Sequence, residues 1–347
     1  MKFKYFAYNI LKTDYSKLNQ YINQLSKERK LSKIYIIKDM LDCFFRNDTR
    51  FLDYFYFKFF DENADRKSHT NVWDMHKFHK KFNGKNSIIL RNKLLFRERF
   101  NAYFNYPYFE LKDNNQIPNL INWIKEEAKG RETYYIVAKE PLGTVGKGVQ
   151  ILQVSYDGQA MYIGKELADM AIKKLLSDGF KLYEGFIEQH PTLSAIHPQS
   201  INTIRIVSFV DNNKNVEIWA ALLRIGYGKS IDNFDAGGLS AKVDIESGKV
   251  ITAAVLKDPF SSIEFERHPI TNTPILGIQI PFWSDVKEII HNASLELEDV
   301  RTVGWDIAIT VNGPTLIEGN DNWDKTHFEL ASRTGLNCKI KPLISES

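Results

Sequence analysis

Cysteine is scarce in this sequence, with only Cys43 and Cys338 among 347 residues. One pair cannot supply a disulfide framework, and no cysteine cluster offers a zinc site, so a reducing, cytoplasmic setting is expected. Long apolar runs are missing too. The densest, FLDYFYFKFF at 51–60, falls short of the roughly 18 residues of a membrane span and carries Asp53 and Lys58. It reads as an aromatic core segment, with a membrane-surface or partner patch as the competing use. The opening MKFKYFAYNILK lacks the unbroken apolar stretch of a secretory signal, because Lys4 and Asn9 interrupt it. An excess of either charge is also absent: 46 Lys and Arg face 43 Asp and Glu. A net charge of +3 gives no reason to expect a nucleic-acid partner. Repeats and low-complexity segments do not occur.

What is present is an ordinary globular composition, 43% hydrophobic and 26% charged, with a high aromatic share of 13%. The length suits two or three units. Residues 1–90, rich in Lys, Asn, Phe and Tyr, show few strand signals and are expected to be mainly helical. His76 and His79 fall there at a spacing of three and read as solvated. From 91 to 190 helices and strands alternate: helices are expected near 92–103, 118–129 and 166–178, and strands at 133–138, 149–154 and 182–187. From 191 to 347 hairpins dominate: 203–210 with 216–225, 239–245 with 250–256, and 302–310 with 314–319, with a helix at 284–297 before the last pair. The fold class is therefore α+β with antiparallel sheets, not a doubly wound parallel sheet.

The closing hairpin, VGWDIAITVNGPTLIEGN at 303–320, carries chemistry. Asp306 lies inside an apolar strand, where an isolated charge is costly. Glu318 and Asn320, two apart, project from one strand face. Three oxygen-bearing groups suit Mg²⁺, and the competing reading is simple hydrogen bonding at strand ends. Register tests the idea. A two-residue turn at Asn312 and Gly313 would send Asp306 to the wrong face, whereas a three-residue loop or a bulge would bring the three together.

The loop KEPLGTVGKG at 139–148 joins two strands. Gly143, Gly146 and Gly148 let backbone N–H groups face an anion, and Lys147 adds charge, although the P-loop pattern is absent and a plain hairpin tip would look alike. Lys139 closes an apolar strand, where its amine can reach phosphate oxygens; Lys93 opens the helix NKLLFRERF. In LYEGFIEQH, backbone groups from Gly185 through Phe186 and Ile187 can bond an adenine, and Glu184 or Glu188 can hold ribose hydroxyls. Asn202, Arg205 and Arg224 fall on neighbouring strands, where arginine suits carboxylate or phosphate. Asp232, Asn233, Gly237 and Gly238 form a polar loop, and His268 precedes Pro269 in another, either as a reacting group or as a turn histidine.

The order of these residues resembles the ATP-grasp superfamily. More narrowly, IEQHPTLSAIHPQSINTIRIVSF, LLRIGYGKSIDNFDAGGLSAKVD, RHPITNTPILGIQIPFW and VGWDIAITVNGPTLIEGN resemble the sugar-transfer-associated ATP-grasp family found with bacterial surface-polysaccharide genes. DCFFRNDTRFLDYFYFKF matches less sharply, and Gly185 departs from the acidic or bulky residue common at that hinge position. The resemblance implies two α+β units gripping ATP between antiparallel sheets. It assigns Lys93 and Lys139 to phosphates, the 143–148 loop to a lid, and Asp306, Glu318 and Asn320 to Mg²⁺, with two ions expected. It further implies a carboxylate–amine ligase working through an acyl-phosphate steadied by Arg205 or Arg224. Asn202 and His268 would join the arginines as catalytic residues, and the loop of Asp232, Asn233, Gly237 and Gly238, with the loop that carries His268, would line the acceptor pocket. The partners would be a free or carrier-linked sugar carboxylate and an amine, with a peripheral membrane or glycosyltransferase contact and self-association open. A kinase of glycan hydroxyls, with Asp232 or His268 as base, and a non-catalytic nucleotide-binding subunit are the alternatives.

Overall fold

The computed structural model describes residues 2–143, 148–228, 234, 237–261 and 263–345. The N-terminal part is helical, as expected: Lys2–Lys12, Tyr15–Arg29, Lys33–Asn47, Phe51–Tyr56 and Val72–Phe82. Asp14, Ser32 and Asn71 cap three of these helices by accepting first-turn N–H groups. Phe51, Tyr54, Phe55 and Phe59 are buried in one cluster, so 51–60 is core and not a surface patch. Asp53, within it, is held by Arg50 Nη2 at 2.9 Å and Lys325 Nζ at 3.0 Å. Lys325 lies on the helix Lys325–Ser332, so a buried ion pair fastens the first helices to a late one. His79 corrects the expectation of two solvated histidines: it is buried edge-on to Trp323, while His76 is exposed.

Two antiparallel sheets follow. The first has six strands: β1 (Tyr108–Glu110), β2 (Thr133–Lys139), β3 (Val149–Tyr156), β4 (Met161–Ile163), β5 (Glu166–Leu167) and β6 (Leu182–Gly185), in the order β1-β6-β2-β3-β4-β5. Period-two alternation sorts its faces. Ile136, Ala138, Leu152 and Val154 pack in one core with residues of the helices Ile117–Ala128 and Ala168–Ser177. Val137, Lys139, Val149 and Ile151 alternate with them and face the cleft described below. The helix expected from 166 begins two residues later, because Glu166 and Leu167 pair with β4.

The second sheet has five strands: β7 (Ile204–Val210), β8 (Val216–Ile225), β9 (Leu239–Lys242), β10 (Thr302–Thr310) and β11 (Gly313–Asn320), in the order β11-β10-β7-β8-β9. The expected 239–256 hairpin is one regular strand plus isolated bridges such as Val243 to Val250. Both faces are covered. The helix Trp283–Leu295 packs in the core on one side, and an aromatic cluster of Phe78, Phe209, Trp219 and Phe328 fills the other. Every residue of β10 is buried, which is why its sequence reads as a continuous apolar run broken only by Asp306 and its flanking polar ends.

The β10–β11 hairpin turns one residue earlier than expected. Thr310 pairs with Gly313, leaving Val311 and Asn312 as the turn, and Gly313 adopts a φ of 112°. Register then breaks: Ile307 faces Leu316, whereas Asp306 faces Glu318. Ile317 is the extra residue of a bulge. This bulge, and not a longer loop, sets the two carboxylates opposite each other.

Candidate active-site cleft

Between the sheets lies a cleft of about 980 Å³. Its first wall is the outer face of β2, β3 and β6, including Val137, Val149, Ile151 and Leu182. Its second wall is the end of β11, from Ile317 to Asn320, and Lys93, Phe96 and Arg97 close one side.

Lys93 is the first residue of the helix Lys93–Arg99, whose cap Asn92 accepts the Leu94 N–H at 3.0 Å. Its backbone N–H donates to Pro141 O at 2.9 Å, and its ammonium donates to the Gly143 carbonyl. The lysine helix and the entrance to the glycine loop are thereby joined. Burial pulls the Lys93 pKa below its ordinary value, against the opposing charge of Glu318. Gly148, at the far end of the loop, has a φ of 75°, and a Cβ there would meet the Glu140 side chain at 2.8 Å, so glycine is required. Gly146 and Lys147 lie outside the described residues.

Lys139 contacts the Glu184 carboxylate directly. Beneath them Arg97, 2% exposed, places its Nε 3.6 Å from Glu184 Oε1 and its guanidinium 3.8 Å from the Phe104 ring centroid. Glu184 is thus a buried counter-ion for two cations, while Glu188 keeps 68% of its side chain exposed on the cleft rim. Glu188, which lies 3.4 Å from Arg131 Nη1, is the more open of the two hinge glutamates. Phe186 and Ile187 line the cleft between them. The glycine at 185 has a steric cause: a Cβ there would lie 3.0 Å from Pro107 Cδ, where the Gly185 N–H donates to Pro107 O.

The structure brings Asp306, Glu318, Asn320, Arg205 and Arg224 together. Arg205 Nε lies 2.6 Å from Asp306 Oδ1, and Arg224 Nη1 lies 2.7 Å from Asp306 Oδ2. Burial alone would raise the Asp306 pKa, but the two arginines more than offset it and hold the carboxyl well below the usual range. Glu318 is different. It lies on the cleft wall, half-buried, with Asp306 beside it, and burial and that neighbouring charge both push its pKa up. Asn320 Nδ2 stands 3.2 Å from Glu318 Oε1. Two carboxylates and an amide crowded in one place form a hard-oxygen set that fits a divalent cation such as Mg²⁺.

Of the expected site residues, Asp306, Arg205, Arg224, Gly237 and Gly238 are not among those that line the cleft, and Asn202 and His268 do not reach it either. Asn202 is fully buried. Its Nδ2 donates to Gln189 Oε1, Leu193 O and His197 O, and its Oδ1 accepts from Gly226 N, so its hydrogen bonds hold the chain that follows the hinge. His268 is 1% exposed; Nε2 donates to Gly226 O at 3.0 Å, and Nδ1 accepts from the turn N–H of Thr271. It is a turn histidine with no side open to a reactant. Asp232 and Asn233 lie outside the described residues. Gly237, at a φ of 99°, and Gly238 continue from Phe234, which stacks on His327 at 4.4 Å.

Sequence reasoning missed Arg97, His327 and the Arg91–Asp321 pair at 2.5 Å on the cleft edge. Asp321 directly follows Asn320, so its position was the available signal. Arg97 and His327 carried none, since an arginine or a histidine in a helical stretch is usually a solvated one.

Two antiparallel sheets closing on a cleft, with lysines on one side and a carboxylate set on the other, form the ATP-grasp architecture. A model of sugar-transfer-associated ATP-grasp proteins matches residues 74–343, and the chain belongs to that family. Solved structures similar to it include D-alanyl-alanine synthetase A from Vibrio cholerae, at 12% identity and a TM-score of 0.42, over 75% of this chain and 67% of that one. D-Alanine–D-alanine ligase from Bacillus anthracis matches at 14% identity and 0.42, over 75% and 68%. N5-carboxyaminoimidazole synthetase from Staphylococcus aureus, complexed with ADP, matches at 9% identity and 0.40, over 69% of this chain and 45% of that one. The chain thus spans less than half the length of that synthetase. No curated protein matches the sequence.

Proposed function

We propose that this protein binds ATP with Mg²⁺ in the cleft and joins a carboxylate to an amine. The observation that carries this reading is the convergence of Lys93 with Glu318, close enough to act on one another's charge, beside Lys139. Cations for phosphate oxygens and carboxylates for a metal are both needed for phosphoryl transfer, and they meet here. Val137, Ile151 and Leu182 offer an apolar slot for a base, and the backbone at 185–187 offers it hydrogen-bonding groups. Mg²⁺ held by Asp306, Glu318 and Asn320 would neutralise charge on the transferring phosphoryl group. The substrate carboxylate would attack the γ-phosphorus, releasing ADP. Arg205 or Arg224 would steady the acyl-phosphate, and the amine would displace phosphate to give an amide.

Family membership favours, as the substrate class, the carboxylate of a uronic acid or of an amino acid on a bacterial surface glycan. The kinase alternative is disfavoured by His268, one of its two candidate bases, whose nitrogens are both engaged. Hydroxylamine trapping tests the ligase directly. With ATP, Mg²⁺ and uronic acids, a hydroxamate and ADP should accumulate together. Phosphorylated sugar without hydroxamate, or AMP in place of ADP, overturns the proposal.

A further inference from the structure

The helix Lys33–Asn47 carries two apolar faces. Ile36, Met40, Cys43 and Phe44 are buried in the N-terminal core. Ile34, Ile37, Leu41 and Phe45 recur at i, i+3, i+7 and i+11, which is a second stripe at helical spacing. Three of these face outward: Ile34 is 68% exposed and Phe45 52%, and Ile37 is exposed, while Leu41 is half-buried at the edge of the N-terminal core. Phe6 joins the first helix, Lys2–Lys12, to it, with its ring 5.8 Å from Phe45, and Leu11 on that helix is 82% exposed. A surface helix needs one apolar face to fold, so the second calls for an occupant.

Charge identifies the occupant. Residues 1–47 hold ten Lys and Arg against four Asp and Glu, while the rest of the chain holds 36 against 39. The positive excess of the whole protein is therefore concentrated in the part that carries the stripe. Lys30, Lys33 and Lys38 are exposed around it, and no ion pair among the described residues engages them. A second copy would bring two surfaces of the same sign together. A bilayer surface of anionic lipid satisfies both features, since apolar side chains enter the headgroup boundary while lysines meet the lipid charge.

We propose that the N-terminal helices, through the stripe Ile34, Ile37, Leu41 and Phe45 and the lysines around it, dock this protein on an anionic membrane surface. The proposal stands independently of the reaction in the cleft. Surface binding of this kind needs no spanning helix, and none of the described helices is long and apolar enough to cross a membrane.

Flotation of the full chain with phosphatidylglycerol–phosphatidylcholine vesicles, and with phosphatidylcholine alone, tests it. The wild type should float with the anionic vesicles and lose most of that binding in high salt or without anionic lipid. Ile34→Ser with Phe45→Ser should weaken partitioning about tenfold or more, as should joint Lys30→Gln, Lys33→Gln and Lys38→Gln. The serine pair also removes the contacts of Phe45 with Phe6 and Phe44, so its melt is measured alongside, and if it does not fold, the lysine variant, which removes no packing, carries the test. A wild type that stays with the soluble fraction, or a folded stripe variant that floats as well as wild type, overturns the proposal. So does a dimer in sedimentation velocity that the serine pair disperses, because the stripe would then be a self-interface.

Discussion

Lys139 and Glu184 sit on the paired strands β2 and β6, and their charged ends are in direct contact at the cleft floor. With Arg97 below, Glu184 is committed to the protein. Its removal should therefore act on Lys139 and on the packing around Arg97, not on a sugar hydroxyl. Glu188→Ala is expected to raise the KM for ATP about tenfold at nearly constant kcat, the loss of roughly one charged hydrogen bond. Glu184→Ala should lower both kcat and the melting temperature. Steady-state kinetics beside a thermal melt separates the two, and the reverse pattern would exchange the roles of the glutamates.

The bulge at Ile317 places two carboxylates side by side in unequal settings. Asp306 anchors two arginines in the buried sheet, so Asp306→Ala would strand them. Breaking such a buried pair costs about 3–5 kcal/mol. Glu318, open to the cleft, can be changed without that penalty, and Glu318→Gln should leave stability within about 0.5 kcal/mol while removing Mg²⁺-dependent nucleotide binding. Denaturant unfolding with calorimetric titration checks both halves. Equal destabilisation by the two variants would contradict the asymmetry.

Nucleotide binding should fall away on both sides of neutrality. Glu318 must be ionised to serve a metal, and its pKa is raised from the ordinary 4.5 by burial and by Asp306. The acid limb of Mg²⁺-dependent affinity is therefore displaced upward from that of an ordinary glutamate. Lys93 must be protonated to hold phosphate, and burial lowers its pKa from 10.5, so the alkaline loss comes early. Affinity measured against pH should show both limbs, and Lys93→Arg should move the alkaline limb upward.

Stability has its own pH dependence. Burial lowers the pKa of His79 from 6.5 to about 4, and His327 is lowered as well. Between those values the unfolded chain binds the proton that the folded chain refuses, so stability is full above about pH 6.5 and declines as pH falls toward 4. His79→Phe should flatten that decline in a series of melts at decreasing pH. An unchanged slope would show that His79 does not set it.

Much of this site was legible because strand chemistry is local. Asp306 stood out as a charge in an apolar strand, and Glu318 and Asn320 shared a face by period two. Requiring convergence left a longer loop or a bulge open, and the structure has the bulge. Burial was the harder quantity. Asn202, His268 and His79 are polar residues whose partners are brought up by distant segments, such as Gly226 for the first two and Trp323 for the third. Nothing in the neighbouring sequence distinguishes a polar group enclosed by such partners from one facing a ligand. Arg97 escaped notice for the same reason, since its aromatic and carboxylate neighbours are assembled only by the fold.

The contact between Gly185 and Pro107 bears on how the molecule can move. The chain passes between the two sheets at residues 106–107 and again at 185–189, and these passages touch through the Gly185 N–H and the Pro107 carbonyl. Beyond them, His190 N–H is bonded to Ile309 O and Gln189 to Asn202, so the second passage is fixed on the β10 side. Two adjacent passages define one axis, and rotation about it must be absorbed by Phe186, Ile187 and Glu188. Those residues also line the cleft, so a molecule gripping them stiffens the joint on which the two sheets would turn. A bulkier residue at position 185 would press on Pro107 and so load the joint itself.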